Sequence, residues 1–123
     1  MNEAHALVDA LLHATVEGTA DAPPATPEEG ECWLVGDDPT GDWIGHAGAL
    51  ASFQAAGWVF AEPREGMVLL DASTGQQIRF RGGWQRADTP VLPTGGTTVD
   101  AEARAAIAEL VAALITAGIL AQE

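Results

Sequence analysis

In "TGDWIGHAGALASFQAAGWVF", residues 40–60, a single histidine, His46, sits between Gly45 and Ala47, with Trp43 before it and Trp58 after it. An imidazole in that setting could act as a general base, or hold a metal beside an aromatic platform. Either role needs partners. The other histidines, His5 and His13, are eight residues apart in a separate N-terminal segment, and no H-x-x-x-H or Cys/His cluster has metal-ligand spacing. Asp37, Asp38 and Asp42 crowd "GDDPTGD" and invite a calcium reading, but the EF-hand order of acids, glycine and distal glutamate is missing. A solvated turn around Pro39 and Gly41 is the expectation there.

Nucleophiles are equally short of company. Ser52 and Ser73 stand in no G-x-S-x-G elbow, and Cys32 has no neighbouring base. Glu28 and Glu29 lie in a stretch with nothing to hold them in geometry. No glycine group has the strand, turn and helix of a phosphate loop. The expectation is a protein that is not an enzyme, with no catalytic residue, cofactor or metal. Trp33, Trp43, Trp58 and Trp84 could stack on a sugar, yet a chain with few other large side chains needs them to fill its core.

Charge narrows the partners. The net charge is −13, and residues 1–63 hold eleven acids without one Lys or Arg. Neither a phosphate backbone nor an anionic membrane surface suits such a chain. Cys32 is the only cysteine, so no intrachain disulfide can form. The N-terminus carries acids where a signal peptide needs basic residues, and no apolar stretch reaches membrane-spanning length. Synthesis in the cytoplasm is expected.

The elements that would position these residues follow from periodicity. Residues 1–18 read as an N-terminal helix, with Ala4, Leu7, Val8, Leu11, Leu12 and Thr15 as its apolar stripe, Glu3 in its first turn and Gly18 as its stop. Residues 19–30 form an acidic linker broken by Pro23, Pro24 and Pro27. Across 31–87, short β-like runs alternate with glycine-bearing turns: "ECWLVG", "DWIGHAGALASF", "GWVFAEP", "GMVLLDA" and "QQIRFRGGWQRA". Their close spacing favours an antiparallel meander, with Trp58 and Phe60 sharing one face. A second linker spans 88–98, and 99–121 holds a C-terminal helix capped by Thr98 or Asp100 and stopped by Gly118. The fold class is α+β: a small antiparallel meander or barrel-like domain flanked by two helices.

On the C-terminal helix, Ala103, Ile107, Leu110, Leu114 and Ala117 step by four and three, the spacing of a coiled-coil seam, and Val111 and Ile115 widen it. A helix that apolar in a small acidic protein is expected to bury itself against copies of the chain or the first helix. Leu7, Leu11, Ile107, Leu110 and Leu114 are the candidate interface of a homo-oligomer.

Taken in order, these residues resemble the small domain recurring in phage tail-fibre, tailspike and head-spike proteins of alphaproteobacterial phages and gene transfer agents. The resemblance covers residues 2–87. It rests on Val8-Asp9-Ala10-Leu11, Pro23-Pro24, Glu29-Gly30-Glu31, Trp43 with Gly45 and His46, Gly57-Trp58-x-Phe60, Pro63, Gly66 and Gly83-Trp84. It implies a virion structural protein on the particle surface. The chain would be the base or adaptor of a head spike or tail fibre, a trimer or pentamer between a capsid or tail protein and a separate fibre. Contact with host capsule polysaccharide would then be indirect. The rival expectation is a carbohydrate-binding module that uses the tryptophans.

Overall fold

The computed structural model describes residues 2–12 and 14–122, and side chains from residue 4 onward. The first-turn role expected of the Glu3 side chain and the placement of His13 lie outside the described residues.

Helix α1, Asn2–Leu12, is shorter than the apolar stripe implied. Ala14 to Ala20 runs extended instead and contains two short strands, β1 (Thr15–Val16) and β2 (Thr19–Ala20). Thr15 and Val16 are β-branched, and such side chains fit a strand better than the last turn of a helix. This segment joins both sheets. Its Ala14 and Val16 carbonyls accept the Leu70 and Ala72 N–H groups, while the Gly18 carbonyl accepts that of Leu34, all at 2.9 Å. Residues 19–30 are therefore a linker only after Ala20.

One sheet has the order β2-β3-β4-β5, where β3 is Cys32–Val35, β4 Leu50–Gln54 and β5 Gly57–Ala61. The other has the order β1-β6-β7-β8, where β6 is Val68–Asp71, β7 Gln76–Phe80 and β8 Trp84–Gln85. The meander holds within each sheet, and the added edge pairs β1–β6 and β2–β3 are parallel. The fold is α+β, and the sheets do not close into a barrel. The run "DWIGHAGALASF" is a strand only from Leu50. Before it come a 3-10 turn, Gly41–Trp43, and a bent loop with Gly45 and Gly48 at φ +89° and +79°, where glycine alone is unstrained.

Strand β3 alternates between two cores. Cys32 and Leu34 meet Val16, Leu50, Leu69 and Ile78 between the sheets, with Ala10 of α1 against them. Trp33 and Val35 face the other way, toward Trp43, Ala51, Trp58 and Phe60. Helix α2, Ala101–Thr116, takes Asp100 as its cap, whose carboxylate accepts the Ala103 N–H at 2.9 Å. Gly118 at φ +78° ends it, and Leu120 beyond it is buried.

The β4–β5 turn carries strain. Gln54 pairs with Gly57, so Ala55 and Ala56 form a two-residue hairpin loop, both at positive φ (53° and 61°). Glu29 braces it by accepting the Ala55 N–H at 2.9 Å. An L-residue in the left-handed region costs about 1–2 kcal/mol, and such turns prefer Asn-Gly. The double change Ala55→Asn, Ala56→Gly is expected to raise unfolding stability by about 1 kcal/mol, since added freedom in the unfolded chain offsets part of the relief. A urea melt with an unchanged or lower midpoint would contradict this.

Candidate functional sites: an aromatic face and two apolar helix faces

The residues singled out around His46 do come together. The 3-10 turn drops Trp43 onto the outer face of β3, β4 and β5, where its side chain is 0 % exposed. Trp58 meets it edge to face at 5.2 Å, and Phe53 meets Trp58 in the same manner at 5.1 Å. His46 stacks on Phe60 with ring centroids 3.6 Å apart, and its Nδ1 lies 3.1 Å from Glu62 Oε1. Trp33 donates its indole N–H to Glu31 at 2.6 Å. The Glu28 backbone N–H and then this indole hold the Glu31 carboxyl below its usual range. Trp84 stands apart, on the other sheet, and donates to the Gly48 carbonyl at 2.7 Å, tying the loop of His46 to β8. Gly66 opens β6 by donating to the Phe80 carbonyl at 2.9 Å, and the Pro63 ring lies across Gly48.

This arrangement has the parts of a packed aromatic layer. Ser52 is buried on the opposite face of β4, where Gln54 donates to its hydroxyl at 2.9 Å. Cys32 faces the inner core, and burial pushes its thiol up, away from the reactive thiolate. Ser73 serves Asp71 on the other sheet, donating to it at 2.6 Å. None of the three adjoins His46. Among the described residues no group of three or more His, Cys, Asp or Glu could hold a metal ion. The Asp38 backbone N–H reaches the Asp21 carboxylate at 3.3 Å, so the acidic loop is latched to the segment after β2. No described helix is long and apolar enough to cross a membrane.

The helices present a different kind of surface. Helix α1 packs on β4 and β5 through Ala10, with Ala6 and Leu7 half-buried, and Gln54 donates to the Ala6 carbonyl at 3.1 Å. Its larger side chains point away: Val8 is 58 % exposed, Leu12 67 % and Leu11 44 %. Val8 and Leu12 join the candidate interface on this evidence alone. Periodicity identifies an apolar stripe but cannot tell which side of it meets the chain's own core. On α2, Val111 is buried and Leu114 half-buried, while Leu110 is 61 % exposed and Ile107 is also open. Its own chain covers one edge of the seam only.

A polar cluster was not foreseen. Asp71 at the end of β6 is buried and accepts from Arg86 Nη1 at 2.8 Å. The buried amide of Gln76 donates to the Ala87 and Ile119 carbonyls, each at 3.1 Å, and the Gln122 N–H donates to Thr74 at 2.7 Å. These bonds fasten the segment after α2 to the β6–β7 turn. The only signal in the sequence was an ordinary turn, "DASTG".

The family model described as "Protein of unknown function (DUF2793)" matches residues 1–85, a span that ends with β8 and leaves out α2. No curated protein and no solved structure matches the chain.

Proposed function

The chain belongs to the DUF2793 family, and from that premise we propose that it is a virion structural protein, the base or adaptor of a head spike or tail fibre of a phage-like particle or gene transfer agent. The observation that carries this reading is the uncovered apolar surface on both helices, Val8, Leu11 and Leu12 on α1 with Ile107 and Leu110 on α2. Each of these side chains has of order 1 kcal/mol still to gain from burial. Counted over two like copies, the set on one helix already reaches the freedom lost on association, about 4 kcal/mol at its lower end, and the two helices together exceed it. Assembly of like copies can therefore draw on either helix or both, and the sheets are left to meet the capsid or tail protein and the fibre. The resemblance of the residue 2–87 signature to spike and fibre proteins supplies the setting.

Light scattering tests the assembly. The expected result is a multiple of the 12.7 kDa chain mass, reduced to a single copy by Leu11→Ser with Leu110→Ser while the circular dichroism spectrum is retained. A wild-type monomer at high micromolar concentration would remove the reading.

A second reading, a carbohydrate-binding module, draws on the half-buried state of Trp33, Phe53, Trp58 and Phe60 on the outer face. It requires host polysaccharide to change tryptophan fluorescence. No response, with the indoles shielded from a soluble quencher, would remove it.

A further inference from the structure

Four strands stand at sheet edges, β1 and β8 in one sheet and β2 and β5 in the other. Three of them are two residues long, and so short an edge gives another chain little to pair with. Strand β5 is the exception. Its five residues, Gly57–Ala61, include no charge and no proline, and they pair one for one with β4 without a bulge. The charge, proline or bulge that commonly blunts an edge is missing from this strand.

The pairing also fixes which of its backbone groups are free. Phe53 of β4 gives its N–H to the Glu31 carbonyl at 2.8 Å, and its own carbonyl accepts the Gly30 N–H at 2.7 Å, so both point toward β3. Backbone groups alternate sides along an antiparallel strand, which leaves Leu50, Ser52 and Gln54 to bond their partners Ala61, Val59 and Gly57. Trp58 and Phe60 therefore turn N–H and C=O away from β4. Among the described residues nothing bonds these four groups. A Cβ built on Gly57 would meet nothing within 4 Å, so the start of the strand is open as well.

We propose that β5 pairs antiparallel with β5 of a second copy, about a two-fold axis at Val59, joining two four-stranded sheets edge to edge. The strand is its own complement in that register. Trp58 exchanges both backbone bonds with the partner's Phe60, and Phe60 with the partner's Trp58, so every free group on both edges is satisfied. On the outer face each indole then lies beside the partner's phenyl ring, a favourable cross-strand pair. The nearest charged residue along the strand, Glu62, falls opposite the partner's Ala56. No like charges are paired across the strands, although each chain carries a net charge of −13. The two-fold uses up both edges and leaves none for further chains.

Backbone hydrogen bonds so few in number do not by themselves hold two copies together at dilution. The pairing therefore rests on the assembly reading: the helices gather copies, and the β5 edges join within the assembly. A two-fold joins copies in pairs, so the assembly holds an even number of them, a doubled trimer or pentamer included.

The test places a thiol at the two-fold in the full chain, where the native Cys32 is buried. Residues opposed at a non-hydrogen-bonded antiparallel position have Cα atoms about 4.5 Å apart, within disulfide reach. Val59→Cys is expected to form an interchain disulfide on mild oxidation, read as a doubled mass under non-reducing conditions. Gly57→Cys, which the same register puts about 14 Å from its counterpart, should not link. Thermal melts under reducing conditions check that both variants fold. Amide exchange reads the wild type directly. Its Trp58 and Phe60 N–H groups should exchange about tenfold or more slowly in the assembled chain than in the dispersed Leu11→Ser, Leu110→Ser variant. Should Val59→Cys not fold, this exchange result alone decides. No link at position 59, equal linking at position 57, unslowed exchange or an odd number of copies would each overturn the pairing. So would protection that appears only when another particle protein is added. An oligomer that fails these tests loses the edge pairing alone, whereas a monomeric wild type removes the assembly reading and this pairing with it.

Discussion

Trp43→Ala is expected to lower unfolding stability by about 3–5 kcal/mol, the usual cost of deleting a buried large aromatic side chain. Trp43 is fully buried and central to the outer cluster, where Val35, Ala51, Trp58 and Phe60 close around it. Against a total stability of about 5–15 kcal/mol, that loss leaves little margin. Its indole N–H is buried with no acceptor among the described residues. Trp43→Phe, which removes that unpaired donor while keeping an aromatic ring, should therefore cost much less. Trp58→Ala, at a half-buried position, should fall in between. Urea denaturation of the three variants orders them. A well-folded Trp43→Ala with near wild-type stability would mean that the ring is a platform for something else and that the core lies elsewhere.

The second large effect belongs to Asp71. Its carboxylate is 2 % exposed and accepts from the Ser73 hydroxyl at 2.6 Å, the Ser73 N–H at 2.9 Å and Arg86 Nη1 at 2.8 Å. Burial pushes the carboxyl up, but the Ser73 hydroxyl, the Arg86 guanidinium and the Ser73 N–H together outweigh it and hold the group below its usual range. A carboxyl lowered on folding adds stability that is complete above its unfolded value, about 3.9, and is lost as pH falls through the lower folded value. Asp71→Asn is expected to cost about 2–3 kcal/mol at neutral pH, the scale of hydrogen bonds to a charged group. The gap between wild type and variant should hold from pH 7 to about 5 and close below about 4. A gap unchanged down to pH 2 would show that the charge on Asp71 contributes nothing.

Much of the fold was legible because glycine and turn chemistry punctuate it. Gly57 and the alternation of Trp58 and Phe60 marked β5 and its face, and Asp100 with Gly118 marked both ends of α2. The two parallel edge pairs were not legible. Strands of two residues have no period, and their partners lie in β3 and β6, far along the chain. The face that α1 turns inward was hidden for a related reason. Its small Ala6 and Ala10 let the helix approach the sheet closely, while Val8, Leu11 and Leu12 made the stronger pattern on the outer side. Around His46 the residue types raised a question of chemistry, and spacing could not show what the ring would meet. The histidine ring lies flat on Phe60 beside one exposed glutamate, Glu62, with Ser52 and Cys32 on the far face of the sheet. Asp71 read only as the polar end of the β-like run over residues 66–72, beside an ordinary turn. Its burial comes from Arg86, fifteen residues later, and no local pattern announces that pair.

If the chain works as part of a particle, as proposed, the most direct measurement is the composition of that particle. Phage-like particles would be purified from the bacterium that encodes the chain, and their proteins quantified by mass spectrometry. The chain is expected in the particles at a fixed ratio to the major capsid or tail protein. A chain abundant in the lysate and absent from purified particles would contradict the account.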